Sequence, residues 1–163
     1  CPGCAMTIKH NYPELVGRQL SFEVMHVAQY LSEKDVLNTS DMRPVKIKTT
    51  FHNPCHLNRG MNAPNALRTV LARIPGIQIS DMEEPDRCCG AGGGVRAAER
   101  PLSMMMARRK AELIINSGAE ACVTQCPFCY IQIQDILKQL GYQQVKIYDL
   151  ADLLLMSHTA TEH

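Results

Sequence analysis

The sequence lacks features that would place it in several common classes. Its 163 residues carry 17 Lys and Arg against 16 Asp and Glu, a formal net charge of +1, and this balance argues against nucleic-acid binding driven by bulk electrostatics. No apolar run approaches the roughly 20 residues that span a bilayer, and no signal-peptide pattern is present. Tryptophan is absent. With 45% hydrophobic and 20% charged residues, the chain can still bury a core.

What the sequence does have is eight cysteines. Disulfide-dense domains are usually small secreted ones with little core, and adjacent cysteines pair poorly with each other. Six of the cysteines stand in close groups, which are Cys1 with Cys4, Cys88 with Cys89, and Cys126 with Cys129. Soft thiolates are typical ligands of iron–sulfur clusters, zinc or Cu(I). Metal ligation is therefore favoured over a disulfide framework.

Strand and helix patterns alternate from residue 45 onward. Strands are predicted at 45–51, 77–79, 121–124 and 145–148, and helices at 62–74, 101–116, 127–140 and 149–156. This alternation predicts an α/β fold with a parallel sheet of about four strands and flanking helices. Ligands collect at the carboxyl ends of the strands in such sheets. The loops that follow the first three strands carry the five cysteines that we expect to form one site, namely Cys55, Cys88, Cys89, Cys126 and Cys129.

Three motifs together resemble a known family. They are Asn53-Pro54-Cys55-His56, Cys88-Cys89-Gly90-Ala91-Gly92-Gly93-Gly94 and Cys126-Pro127-Phe128-Cys129. The pattern resembles the CCG, or cysteine-rich, domain found in the B and D subunits of the heterodisulfide reductase family. Related proteins include the iron–sulfur subunits of anaerobic glycerol-3-phosphate, glycolate and lactate dehydrogenases. The resemblance implies a Rossmann-like domain whose five cysteines hold a non-cubane [4Fe-4S] cluster.

The resemblance also implies a function. It points to an oxidoreductase module that transfers electrons and reduces a disulfide, active within a complex of iron–sulfur or flavin subunits. The expected location is the cytoplasm or the inner face of a membrane. One alternative is an electron-relay subunit that receives electrons from glycerol 3-phosphate or a hydroxy acid. Another is a structural module stabilised by zinc, because zinc closes its site with four ligands and would leave one thiol free.

Two histidines stand beside the first cysteine of the predicted site. His52 and His56 flank Cys55. One hypothesis makes them catalytic, supplying protons or hydrogen bonds while a disulfide is reduced. The alternative is that each is a polar residue that supports the ligand loop or begins a helix. The residues alone leave both interpretations open.

Two interpretations are also weighed for the glycine-rich loop 90–94. A dinucleotide-binding G-x-G-x-x-G would need glycine at position 95, where the chain has Val95. Gly90 and Gly92 are instead predicted to let backbone N–H groups approach the sulfurs of a bound cluster. Pro127 makes Cys126 a candidate N-cap, and Cys122 is predicted to be a core residue. For the methionines 104–106 with the basic run 108–110, one interpretation is a docking surface. The favoured one is an amphipathic helix with the methionines in the core and a solvated basic face.

The first motif of the chain repeats a later one. Cys1-Pro2-Gly3-Cys4 resembles Cys126-Pro127-Phe128-Cys129, and the segment 24–31 resembles 147–154. The repeat predicts that residues 1–36 close a truncated first CCG module. A linker at 37–44, a complete second module at 45–157 and a tail at 158–163 follow. Cys1 and Cys4 are then ligands of an incomplete first cluster, and the chain is expected to be part of a longer protein.

Overall fold

A four-stranded parallel sheet forms the centre of the molecule. The structure is a computed structural model and describes residues 1–34 and 36–158, so most of the predicted tail lies outside the described residues. The strands are β1 (Lys48–Phe51), β2 (Gln78–Ile79), β3 (Ala121–Thr124) and β4 (Lys146–Asp149). They pair in the order β2-β1-β3-β4 with every neighbour parallel. The predicted α/β fold is confirmed.

Within the described ranges, eight α-helices connect and flank these strands. They are α1 (Pro2–Met6), α2 (Tyr12–Val16), α3 (Val27–Glu33), α4 (Ala66–Arg73), α5 (Val95–Ala98), α6 (Arg100–Asn116), α7 (Pro127–Gln139) and α8 (Leu150–Ser157). Two π-helical turns lie at Thr7–Asn11 and His56–Gly60, and a 3₁₀ turn at Thr39–Asp41. In the part of the chain that the structure describes, no helix has the length and apolar character to cross a membrane.

The helices bury apolar side chains on both faces of the sheet. One face packs against α4 and α8, and its buried set includes Leu67, Val70, Leu71, Val123, Leu150 and Leu153. The other face packs against α6 and α7, and its buried set includes Ala111, Ile114, Cys122, Ile133, Ile136 and Leu137. Each fully buried Leu or Ile stabilises the fold by about 1.5–3 kcal/mol relative to an exposed one. The sheet edge between these two layers is therefore a rigid support for the loops that follow the strands.

The observed element boundaries have local causes. Asn62 has a φ of 54°, which interrupts helical geometry, so the helix predicted from residue 62 begins only at Ala66. Asp149 ends β4 and caps α8, since its side chain accepts a hydrogen bond from the N–H of Ala151 at 2.9 Å. His26 caps α3 in the same way, accepting from the N–H of Ala28 at 3.2 Å. These two caps stand at matching positions of the predicted repeat.

Candidate functional site

Three loops bring the five predicted cysteines to the carboxyl edge of the sheet. Cys55 follows β1, Cys88 and Cys89 follow β2, and Cys126 and Cys129 follow β3. All five line one cavity of about 970 Å³. Parallel strands direct their carboxyl ends to the same edge, and this is why residues up to 74 positions apart meet there.

The two cysteines of the first motif line the same cavity. Cys1 and Cys4 lie at the start of α1 and border the site together with the five others. Helix α1 packs on the π-helical turn His56–Gly60, where a Cβ at Gly3 would lie 3.0 Å from Nδ1 of His56. The cavity is thus bordered by seven sulfurs in two sets. All eight cysteines of the chain, including the buried core residue Cys122, are free thiols.

Thiol hydrogen bonds link the five loop cysteines. The Cys55 thiol donates to the Cys88 sulfur, which raises the pKa of Cys55 and lowers the pKa of Cys88. The Cys129 thiol is shared between the sulfurs of Cys126 and Cys89, so its own pKa is raised and theirs are lowered. The five sulfurs therefore interact as two groups, one of two cysteines and one of three. Three of them favour the thiolate form, which is the form that ligates metals.

The start of α7 contributes to the thiolate character of Cys126. Its pKa is lowered to about 6, first by the Cys129 thiol and then by the backbone N–H groups of Cys129 and Phe128. Cys126 occupies the N-cap position with Pro127 in the first turn, although its sulfur makes no regular capping hydrogen bond. The predicted role of this helix start is therefore electrostatic, through N–H groups that face the sulfur.

The two predicted histidines take different positions in the site. His52 is 1% exposed, and a hydrogen bond from its backbone N–H to the carbonyl of Val123 at 2.8 Å fixes it beside β3. Its ring nitrogen and the sulfurs of Cys89 and Cys129 all lie within 4.8 Å of one another. His56 is half-buried and lines the cavity from the π-helical turn. Of the two, His52 is the one packed against the sulfurs.

The glycine-rich loop separates into a constrained and an open part. Gly90 has a φ of +79°, and a Cβ there would lie 2.7 Å from the carbonyl oxygen of Ser103. Its N–H donates to the Cys88 sulfur at 3.4 Å, as the predicted approach of backbone to sulfur requires. Gly92 lines the cavity, but a Cβ there would meet nothing within 4 Å. Of these two glycines, close packing thus demands glycine at position 90 only.

Buried polar side chains of α6 and α7 support this loop, and the sequence did not reveal them. The Ser103 hydroxyl donates to the carbonyl of Gly90 at 2.8 Å, and Gln132 donates to the Ser103 hydroxyl at 2.9 Å. Lys110 is completely buried, whereas Met105 is 65% exposed. The prediction of a helix with the methionines in the core and a solvated basic face at 108–110 is therefore wrong for Met105 and for Lys110. A usable signal was the helical spacing of positions 103, 107, 110 and 114, which places Lys110 on the buried stripe.

The donor set fits an iron–sulfur group. Five thiols surround one cavity, and thiolates are the ligands that hold most iron–sulfur clusters. A zinc site closes with four ligands, fewer than the site offers. Backbone N–H groups at Gly90 and at the start of α7 face the sulfurs, as an anionic group requires.

The chain is similar in sequence to known oxidoreductases and their subunits. The chain is 35% identical to a subunit of the fumarate reductase (CoM/CoB) of Methanothermobacter marburgensis, over 98% of its length and 32% of that protein's. It is 36% identical to a subunit of the dihydromethanophenazine:CoB–CoM heterodisulfide reductase of Methanosarcina barkeri, over 83% of its length and 34% of that protein's. It is also 29% identical to the EtfAB:quinone oxidoreductase of Syntrophomonas wolfei, over 94% of its length and 23% of that protein's. The chain therefore spans about a third or less of these relatives.

The cysteine-rich domain model CCG matches residues 49–134. That range contains both histidines and all five cysteines of the three loops, and it leaves Cys1 and Cys4 outside. This chain belongs to the CCG family of cysteine-rich domains.

Proposed function

We propose that this chain is an iron–sulfur electron-transfer module of a heterodisulfide reductase-like oxidoreductase. The ligands proposed for a non-cubane [4Fe-4S] cluster are Cys55, Cys88, Cys89, Cys126 and Cys129. Bound there, such a cluster supplies one-electron redox chemistry. The observation that carries the proposal is that five thiols from three loops line one cavity, where they interact as two groups, Cys55 with Cys88 and Cys129 with Cys89 and Cys126.

The residues around the sulfurs have separate proposed roles. Gly90 directs its N–H to the Cys88 sulfur and so stabilises the thiolate. His52 lies against the Cys89 and Cys129 sulfurs from a buried position and lowers the pKa of Cys89, which suits orientation of that ligand. His56 reaches the cavity itself and is placed to exchange a proton with a thiol released from a disulfide. Gly92 lines the cavity without close neighbours and so leaves space there for a substrate.

Cys1 and Cys4 are proposed ligands of a second, incomplete centre. They stand on the same cavity as the five-cysteine site, and their helix start matches that of α7. The division of the chain at 1–36, 37–44 and 45–157 into two modules rests on the same repeat. A centre built there would share the cavity with the five-cysteine site.

A second function is favoured by one relative. An electron-relay subunit that passes electrons from a flavin dehydrogenase would use the same five cysteines without bond chemistry of its own. The similarity to an EtfAB:quinone oxidoreductase supports this alternative. The two functions are separated in a complex reassembled with its redox subunits. Its turnover of disulfide substrates is compared there with its turnover of quinone-linked donors.

The ligand assignment is tested by removing one buried sulfur at a time. Cys89→Ala and Cys122→Ala each remove a sulfur from the same side of the sheet, but only Cys89 lines the cavity. After anaerobic loading of the full chain, we expect Cys89→Ala to lose iron and sulfide and to change the EPR spectrum, whereas Cys122→Ala keeps both. Unchanged iron, sulfide and EPR signal in Cys89→Ala would contradict the five-ligand proposal.

A further inference from the structure

Lys110 is a charged residue in the interior of the molecule. Its side chain, on the inner face of α6, is 0% exposed and is among the largest fully buried side chains. Moving an ammonium group out of water costs several kcal/mol unless a partner offsets the cost. A neutral residue would pack there at lower cost, so the charge needs a specific explanation.

The direct partners of Lys110 are two backbone carbonyls. Its Nζ donates to the carbonyl of Glu84 at 2.8 Å and to that of Pro85 at 3.4 Å. The Pro85 carbonyl also accepts from the backbone N–H of Asn53 at 3.0 Å. Lys110 therefore holds the segment before Cys88 directly. It reaches the segment that follows β1 only through the Pro85 carbonyl that both groups share.

No carboxylate among the described residues pairs with Lys110. The nearest acidic side chains belong to other partners, because Glu84 pairs with Arg87 at 2.7 Å and Asp86 with Arg59 at 3.4 Å. Burial lowers the pKa of Lys110 to about 8, which leaves it charged at neutral pH, and four groups act in the opposite direction, the Cys122 and Cys89 sulfurs first and then the Asp86 and Glu84 carboxylates. Of these, Cys89 belongs to the cysteine site. Ala107 and Ala111, which are buried on the same helix as Lys110, share one buried cluster with Cys89, so the lysine and the cysteine site lie on the same side of the sheet.

We propose that Lys110 is a positioning residue that clamps the loop before Cys88 and Cys89 and supplies a buried positive charge near an anionic thiolate-bound group. The clamp follows from the two carbonyl contacts alone. The charge role rests on the proposed function. A cation close to the site stabilises the more negative, reduced state of a redox centre, so Lys110 raises its reduction potential.

Three variants of the full chain separate the clamp from the charge. Lys110→Met keeps the length of the side chain but removes both the donors and the charge. Lys110→Gln keeps an N–H donor for the carbonyls and removes the charge. Arg108→Met removes one charge from an exposed position of the same helix and is the matched control.

The clamp is measured by hydrogen exchange in the metal-free chain. We expect Lys110→Met to speed exchange of the Asn53 and Arg87 amides by about tenfold, whereas Lys110→Gln and Arg108→Met leave them protected. Protection that is unchanged in Lys110→Met would overturn the clamp.

The charge is measured as the midpoint potential of the loaded chain at constant pH. We expect a shift to more negative potential in both Lys110→Met and Lys110→Gln, and none in Arg108→Met. Equal potentials in all four proteins would overturn the charge role. A wild-type chain that takes up no iron and sulfide would contradict the proposed function, and it would contradict the charge role as well. The clamp is decided independently, by the hydrogen-exchange result.

Discussion

At the scale of single residues, Gly90 determines how the second ligand loop approaches α6. Its left-handed backbone conformation turns its N–H toward the Cys88 sulfur and its carbonyl toward the Ser103 hydroxyl. Gln132 in turn holds Ser103. The geometry of one sulfur ligand is therefore set by a short chain of buried hydrogen bonds that extends to α6 and α7.

Gly90→Ala should disrupt this arrangement. A Cβ would lie 2.7 Å from a backbone oxygen at a φ of +79°, so we expect a loss of about 1–3 kcal/mol in the free energy of unfolding. Urea denaturation of the metal-free chain measures it. Gly92→Ala is the control, because a Cβ there meets no atom within 4 Å. Equal stabilities of the two variants would show that the close packing at Gly90 is not required.

Residues such as Lys110 and Ser103 also show where sequence patterns stop being informative. The cysteine loops could be predicted because cysteine is a rare residue and cysteine groups that follow successive strands indicate a metal site. Lys110 was missed because it follows Arg108 and Arg109 and resembles an exposed basic run, although helical spacing places it on the buried stripe. Its partners, the carbonyls of Glu84 and Pro85, are 26 and 25 residues away, and helical spacing does not specify them.

At the scale of secondary structure elements, the predicted order of strands and helices is confirmed, and the differences lie at their ends. β1 begins at Lys48 rather than Val45 because its partner β2 has only two residues. Before that point Val45 donates to the carbonyl of Pro75 instead. The helix after Cys55 was not predicted; it is a π-helical turn on which α1 packs. Such turns are rare and occur frequently at functional sites.

The cap of α3 makes stability depend on pH. His26 is 3% exposed, and burial is the main cause that lowers its pKa to about 4. The unfolded chain, with an ordinary histidine pKa near 6.5, binds more protons between these values, so stability is lost as the pH falls through this window.

His26→Asn retains a capping oxygen and removes this titration. Between pH 7 and pH 5 we expect the wild-type free energy of unfolding to fall by roughly 1–2 kcal/mol more than that of the variant. Chemical denaturation at the two pH values provides the comparison. Parallel losses in both proteins would assign the acid sensitivity to other groups.

At the scale of the whole molecule, one cavity is bordered by two sets of cysteines. Five come from the loops of the sheet and two from the start of α1. The repeat predicts two separate centres, but both sets of cysteines border the same cavity. Substitution of Cys1 and Cys4 tests whether the two centres are independent.

A double variant, Cys1→Ser with Cys4→Ser, should therefore leave the five-cysteine site intact. We expect its iron and sulfide content, measured after anaerobic loading, to equal that of the wild-type chain, because none of the five proposed ligands is changed. A loss comparable to that of Cys89→Ala would mean that all seven sulfurs serve a single centre.

The metal and sulfide content of the anaerobically prepared wild-type chain decides whether the five thiols hold an iron–sulfur cluster. The five-thiol site predicts iron and acid-labile sulfide in equal amounts, little zinc, and an EPR signal that appears or disappears on one-electron reduction. One zinc per chain with no sulfide would contradict the iron–sulfur assignment and identify a zinc-stabilised module instead.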